Sequence, residues 1–132
     1  MKEIENRADV SQLVHAFYDK IRVDDELGPI FNAHLDAENW PPHLEKLTDF
    51  WETTLFGIQK FKGNPPAAHA RIDHSMNHGI TQEHFAQWIR LWFATIDEMF
   101  EGKLADRAKN AARRMSTGLY LAVWNSRPEN KL

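Results

Sequence analysis

The sequence predicts an all-α protein with four main helices, and two observations support this class. Apolar residues recur at spacings of three and four along most of the chain. No stretch shows the sustained apolar–polar alternation that is typical of strands. Hydrophobic residues make up 42% and charged residues 27% of the 132 residues, which is typical of globular proteins and unlike disordered or fibrous chains. We therefore expect a single domain over residues 1–132, with its core at about 9–125.

The first helix is predicted to begin near Asp9, because Asp9 and Gln12 together resemble an N-terminal capping pair. Its apolar stripe consists of Val10, Leu13, Val14, Phe17, Tyr18 and Ile21. Glycine and proline at 28–29 are expected to end this helix, and a short turn at 30–31 follows. The second helix opens at 40–42, because proline is tolerated in a first helical turn. Its stripe consists of His43, Leu44, Leu47, Phe50, Trp51, Thr54 and Leu55.

The strongest helical pattern follows Thr81, which is a suitable N-terminal cap. This third helix carries Phe85, Trp88, Ile89, Trp92, Phe93, Ile96, Met99 and Phe100 on one face, and Gly102 is expected to end it. The fourth helix is predicted at about 104–124. Its stripe consists of Leu104, Ala108, Ala111, Met115, Leu119 and Val123.

Between the middle two helices, the regular pattern fails over residues 57–81. This stretch contains three glycines, two prolines and three of the seven histidines, and we predict mostly loop with one short helical turn around His69. Compact domains rarely carry about 20 residues without regular structure unless the segment binds something. The functional residues are therefore expected in or near this segment.

Composition excludes several kinds of function. The formal net charge is −3, so no basic excess is available for nucleic acid. Cysteine is absent, which excludes disulfides, thiolate metal sites, iron–sulfur clusters and a cysteine nucleophile. The polar start of the chain does not resemble a signal peptide, and no apolar run approaches the length of a membrane span. A cytoplasmic protein without a membrane partner is expected.

Two of the histidines are candidates for binding chemistry. His43 begins the apolar face of its helix and is expected to point inward, although a boundary histidine at a helix start is an equal alternative. His69 follows two alanines, which would allow the backbone to approach a flat ligand, and it could bond a metal opposite His43. We interpret His15 and His34 as ordinary surface or core residues. Fifteen aromatic residues, five of them Trp, suggest a pocket lined by rings.

Other chemistry receives little support from the sequence. His74 and His78 are spaced i, i+4 like zinc ligands on a helix, but no Glu lies between them and no Cys can complete a site. None of the serines stands in a nucleophile elbow, and no glycine-rich phosphate loop is present.

Several segments, in order, resemble the truncated haemoglobins over about residues 9–122. Residues 17–20 and 27–31 resemble their second helix and the corner after it, and His43 with the residues that follow resembles their distal helix. Residues 66–69 resemble the segment with the iron-ligating histidine, and residues 84–108 resemble the next helix and its continuation. Group III fits best, because the Gly–Gly pairs of the other two branches are missing.

The resemblance implies a 2-on-2 helical sandwich around one haem b, with a long irregular segment before the proximal histidine. It implies that His69 ligates the iron and that the distal ligand-binding residues are Tyr18, His43, Leu47 and Trp88. The residues that it implies around the haem are Phe31, Lys46, Phe50, Trp51, Phe56, Arg71 and Phe85, of which Lys46 and Arg71 would face the propionates. Ordinary core packing is the alternative for each aromatic residue. Phe61 stands where this branch commonly has tyrosine.

The resemblance implies binding of O2, CO and NO, in a monomer or weak dimer. NO oxidation or peroxidase-like turnover with a reductase partner is implied as well, although no residue identifies a reaction. Two alternatives from other classes remain open at this point. One is a haem-free helical sensor or interaction domain whose aromatic residues only form the core, and the other is a small histidine-based metal-binding protein.

Overall fold

In the computed structural model, which describes residues 1–130, the chain forms six α-helices. They are α1 (Arg7–Val23), α2 (Gly28–His34), α3 (Trp40–Phe56), α4 (Pro65–Ser75), α5 (Gln82–Met99) and α6 (Lys103–Ser126), followed by a 3₁₀ turn at Pro128–Asn130. Apart from an isolated bridge between Lys2 and Phe100, residues 1–130 contain no strand pairing. The all-α class is confirmed, but the number of helices was predicted two too low.

Helix α1 begins earlier than the sequence pattern predicted. The Asn6 side chain caps it by accepting a hydrogen bond from the backbone N–H of Asp9 at 3.0 Å. The Asp9 carboxylate is instead buried and accepts from Lys2 Nζ at 2.9 Å and from the Glu5 N–H at 2.8 Å. The predicted capping pair of Asp9 and Gln12 is therefore wrong, because Asn6 already satisfies the first free N–H group.

Prolines mark the beginnings of two helices that the sequence analysis missed. Residues 65–75 form α4, so the prediction of a mostly irregular segment from 57 to 81 holds only for 57–64 and 76–81. Pro65 and Pro66 occupy the first turn, where a missing N–H costs no hydrogen bond, and Asn64 caps the Ala67 N–H at 3.1 Å. In the same way Pro29 lies in the first turn of α2, where only a short turn was expected.

The other boundaries are close to those predicted. Helix α3 begins at Trp40, and Thr81 caps α5 through a capping box in which His84 takes part. Gly102 was expected to end the third predicted helix, but α5 already ends at Met99 with Phe100 as its C-cap. Gly102, with a positive φ of 98°, is instead the N-cap residue of α6.

The core lies where α1 packs against α3 and α5, and where α6 packs against α3, α4 and α5. Trp51 of α3 stacks on Trp92 of α5 with ring centroids 4.5 Å apart, and Phe17 of α1 meets the Trp92 ring edge-on at 4.9 Å. The Trp92 indole donates to the Ala108 carbonyl at 3.2 Å, which satisfies its buried N–H. None of the described helices combines the length and apolarity needed to cross a bilayer.

Candidate functional site

An apolar cavity of about 340 Å³ lies between the helices and receives side chains from all six. Its volume falls in the range of small-molecule and cofactor sites. Nine residues predicted from the sequence stand on its wall: Tyr18, Phe31, His43, Leu47, Phe50, Trp51, His69, Phe85 and Trp88. Most of them come from the apolar stripes of α1, α3 and α5, which face one another across this space.

His69 of α4 supplies a potential metal ligand. Its Nδ1 lies 2.7 Å from the Pro65 carbonyl oxygen, which can only accept, so Nδ1 must carry the hydrogen. Nε2 is then left with a free lone pair, as in metal-binding histidines oriented by a backbone carbonyl. Burial lowers the pKa of His69, and the hydrogen bond to Pro65 opposes that shift in part. The ring is therefore neutral at pH 7, and the Phe85 ring stacks on it at 6.0 Å.

Tyr18, His43 and Trp88 are three of the polar side chains on the cavity wall. Burial raises the pKa of the Tyr18 hydroxyl above its usual range, and a hydrogen bond from Trp88 opposes this in part, so the hydroxyl keeps its proton and can donate. The His43 ring lies 6.1 Å from the Tyr18 ring, and burial together with the charge of Lys46 lowers the pKa of His43. Helices α1, α3 and α5 thus bring together the Tyr18 hydroxyl, the Trp88 indole N–H that is directed at it, and a neutral imidazole.

Three predicted haem contacts are not on the cavity wall. Phe56 packs against the core instead, because it lies thirteen residues after His43 and so on almost the opposite side of α3. Arg71 is exposed, since two residues after His69 is about 200° around α4. Lys46 is also exposed, although it lies close enough to His43 to influence its pKa.

The structure also adds residues that sequence reasoning missed. His34, interpreted as an ordinary residue, stands on the cavity wall; its Nδ1 donates to the Ile30 carbonyl at 2.8 Å and its Nε2 lies 2.9 Å from Ser75 Oγ. His84 lines the cavity as well, and the capping box at Thr81 was the available signal for its position. The other additions are Leu27, Ile30, Leu35, Phe61, Pro65, Ala68, Ile72, Ile80, Met115, Ser116 and Leu119.

The zinc-like spacing of His74 and His78 is not realised on a helix. His74 lies in the last turn of α4, which ends at Ser75, whereas His78 lies beyond that end with a positive φ of 61°. The two rings meet edge-on with their centroids 5.5 Å apart. Within residues 1–130, no group of three or more His, Asp or Glu side chains is placed to hold a metal ion.

One buried polar atom near the cavity lacks a partner. Trp40 is 2% exposed, and its indole nitrogen makes no hydrogen bond. Among the described residues, no other buried side-chain nitrogen or oxygen lacks a partner. Its ring lies 5.9 Å from Tyr18 and 5.7 Å from His43. Leaving a buried N–H without a partner costs about 1–3 kcal/mol. An unpaired group of this kind is typical of a place where a water or ligand completes the hydrogen bonding.

A neutral imidazole with a free Nε2, an apolar cavity and polar side chains elsewhere on its wall together fit a haem. Helices packed around such a slot are found in globins and in other helical haem proteins. The chain is similar to the group 3 truncated hemoglobin ctb of Campylobacter jejuni, with 29% identity over 121 residues, 87% of this chain and 91% of that protein. It is also similar to the crystal structure of a group III truncated hemoglobin from Campylobacter jejuni, with a TM-score of 0.82, 26% identity and coverage of 94% of this chain and 96% of the other.

These similarities extend over nearly the whole chain. They confirm the resemblance to the group III truncated haemoglobins and, with it, the truncated-globin fold. The family implies a haem-binding role and a haem cofactor. No family model matches the chain.

Proposed function

We propose that the protein binds haem b in this cavity, with His69 as the iron ligand, and that it binds the diatomic ligands O2, CO and NO on the side of Tyr18, His43 and Trp88. The observation that carries the proposal is the 2.7 Å hydrogen bond from His69 Nδ1 to the Pro65 carbonyl, since it leaves Nε2 free on the wall of an apolar cavity. His69 would hold the iron of the haem, and that iron would supply the binding chemistry for a diatomic ligand.

The residues of the cavity divide the work between apolar and polar contacts. Phe31, Leu47, Phe50 and Phe85 give the cavity apolar walls that exclude water. The Tyr18 hydroxyl and the Trp88 indole are donors for a small ligand that carries negative charge. Because each donor lies on a helix in the rigid core, its position costs little to maintain when a ligand enters.

Lys46 is the proposed partner of a haem propionate. It is exposed and lies one turn from His43, and within residues 1–130 no ion pair involves it. An exposed pair of this kind contributes less than about 1 kcal/mol. Lys46 would therefore influence the orientation of the haem more than its affinity.

Oxidation of NO and turnover of peroxide are the redox reactions that we include in the proposal, with a reductase as the electron source. Both reactions involve small ligands that the Tyr18 and Trp88 donors can contact. Single-turnover reaction of the O2-loaded ferrous protein with NO, compared with the rate of oxidation by peroxide, would distinguish between them.

The absorption spectrum of the purified protein tests haem binding directly. We expect a strong Soret band after expression with adequate iron, or after addition of hemin to the apoprotein at a one-to-one ratio. A protein that remains colourless and takes up no hemin would contradict the proposal. It would support the alternative of a haem-free helical domain.

The state of His43 gives a second prediction. The imidazole is neutral and half-buried, so it could either bond the iron or act as a gate at the cavity wall. We expect the gate, because Tyr18 and Trp88 already occupy the polar side. Ferrous protein should be mainly five-coordinate, with a broad visible spectrum. If it shows the sharp bands of low-spin bis-histidine haem, and His43→Leu removes them, this assignment is wrong.

A further inference from the structure

Helix α4, which carries His69, is tied to the end of α6 by a buried ion pair. Asp73 lies one helical turn after His69 and its side chain is 0% exposed. Arg127, directly after α6, donates to the two carboxylate oxygens of Asp73 from Nε at 3.1 Å and from Nη2 at 3.0 Å. Two parallel bonds of this kind define direction as well as distance.

The same two side chains also hold the segment that leaves α4. Arg127 Nη2 donates to the Ile80 carbonyl at 2.6 Å, and the Ile80 N–H donates to Asp73 Oδ1 at 3.0 Å. Ile80 is buried and stands on the cavity wall. One cluster therefore joins the helix of the proposed iron ligand, the connection to α5 and the end of α6.

The turn at 77–78 shows that this cluster constrains the backbone. Asn77 and His78 have positive φ values of 55° and 61°, a region that is uncommon for residues other than glycine, although Asn and His adopt it more often than most. The His78 N–H donates to the Asp73 carbonyl at 2.7 Å, and His78 Nδ1 lies 3.4 Å from Asp73 Oδ2. Such conformations persist where the surrounding contacts hold them in place.

Two considerations favour a role beyond general stability. A buried ion pair often stabilises a protein no better than apolar residues of similar size, so its presence is better explained by the geometry that it imposes. Helix α4 has only eleven residues, too few to be stable by itself, so its position depends on tertiary contacts. Asp73 and His69 share a face of the helix, and a rotation of α4 would move both side chains.

We propose that Asp73 and Arg127 are a positioning pair that holds α4 in the orientation in which His69 is presented to the cavity. This inference rests on the proposed function, because it concerns the histidine that is assigned to the iron. The pair acts through α4 and does not touch the cavity itself.

The test compares Asp73→Asn, Arg127→Met and the double variant in the haem-loaded protein. Each single variant should release haem to an apomyoglobin acceptor roughly tenfold faster than the parent, since groups that orient a metal ligand have effects of about 10–100-fold. Each should also shift the iron–histidine stretching band in the resonance Raman spectrum of the ferrous protein. The double variant should be no worse than the worse single variant, because both changes remove one interaction.

Asp9→Asn is the matched control. Asp9 is 3% exposed and, like Asp73, accepts from one cationic side chain and one backbone N–H, but it lies at the start of α1. This variant should lower the melting temperature while leaving haem release and the Raman band at parent values. If Asp9→Asn changes them as much as Asp73→Asn does, the effect is general destabilisation and the proposal is overturned. Parent values in both Asp73→Asn and Arg127→Met would overturn it as well.

Two further measurements keep the inference testable if a variant or the cofactor fails. If Arg127→Met does not fold, Arg127→Lys keeps the charge but loses the two-point contact. A smaller change in haem release and in the Raman band, in the same direction, supports the pair, and no change overturns it.

If the parent takes up no haem, the proposed function fails, and hydrogen exchange of the apoprotein reports on the pair alone. The amides of 67–75, which follow the two prolines of α4, should then exchange faster in Arg127→Lys than in Asp9→Asn, and equal rates would overturn the inference.

Discussion

Replacing Tyr18 and Trp88 together by phenylalanine should speed O2 release by about two to four orders of magnitude. The ferrous iron of a bound haem would supply negative charge to O2, and the Tyr18 and Trp88 donors would then form charge-assisted hydrogen bonds with it, each worth roughly 1.5–3 kcal/mol. Each 1.4 kcal/mol corresponds to a tenfold change in affinity. CO carries little charge, so its release should change far less. Stopped-flow displacement of O2 and of CO measures both rates in the same preparations.

The single variants separate the two donors. Tyr18→Phe keeps the ring and removes only the hydroxyl, whereas Trp88→Phe also opens space. Their effects should be less than additive if both donors contact the same oxygen atom. Tyr120→Phe is the matched control, because Tyr120 carries the second tyrosine hydroxyl of the chain and does not line the cavity. If both single variants release O2 at the parent rate, Tyr18 and Trp88 only pack the core.

His69→Gly should abolish the Soret band or make it dependent on added imidazole. The glycine removes the Nε2 ligand and leaves a space of imidazole size, so free imidazole can take its place on the iron. His74→Gly and His78→Gly are the controls, since neither residue lines the cavity. Glycine is also well tolerated at 78, where φ is positive. If one of these two changes abolishes the band while His69→Gly does not, the iron ligand has been assigned to the wrong histidine.

The fold class and much of the cavity wall were predictable because they depend on local periodicity. His43, Leu47 and Phe50 recur at helical spacing, so forming α3 is enough to bring them to one face. The same spacing shows why Phe56 is absent from the wall. The resemblance implied that it lies around the haem, with core packing as the alternative, and its register in α3 directs it to the core. Thr81 predicted the start of α5 because capping is a property of a few adjacent residues.

Helix α4 was harder to predict, because its sequence favours it only weakly. Two prolines begin it, and alanines and histidines follow without a clear apolar stripe, so its stability comes from packing against α6. The position of His34 on the cavity wall was also hard to predict, because it depends on contacts between helices. It reaches the cavity because α2 is a helix that lies beside α4, as its contact with Ser75, 41 residues away, shows.

What the amino-acid order decided by itself is therefore the helical class, the faces of α1, α3 and α5, and the candidates at Tyr18, His43, His69 and Trp88. Folding decided which residues far apart in the chain meet. Asp73 and Arg127 are 54 residues apart, and no pattern in the sequence connects them. Their contact exists because the ends of α4 and α6 converge, and burial there makes an unpaired carboxylate costly enough to require a partner.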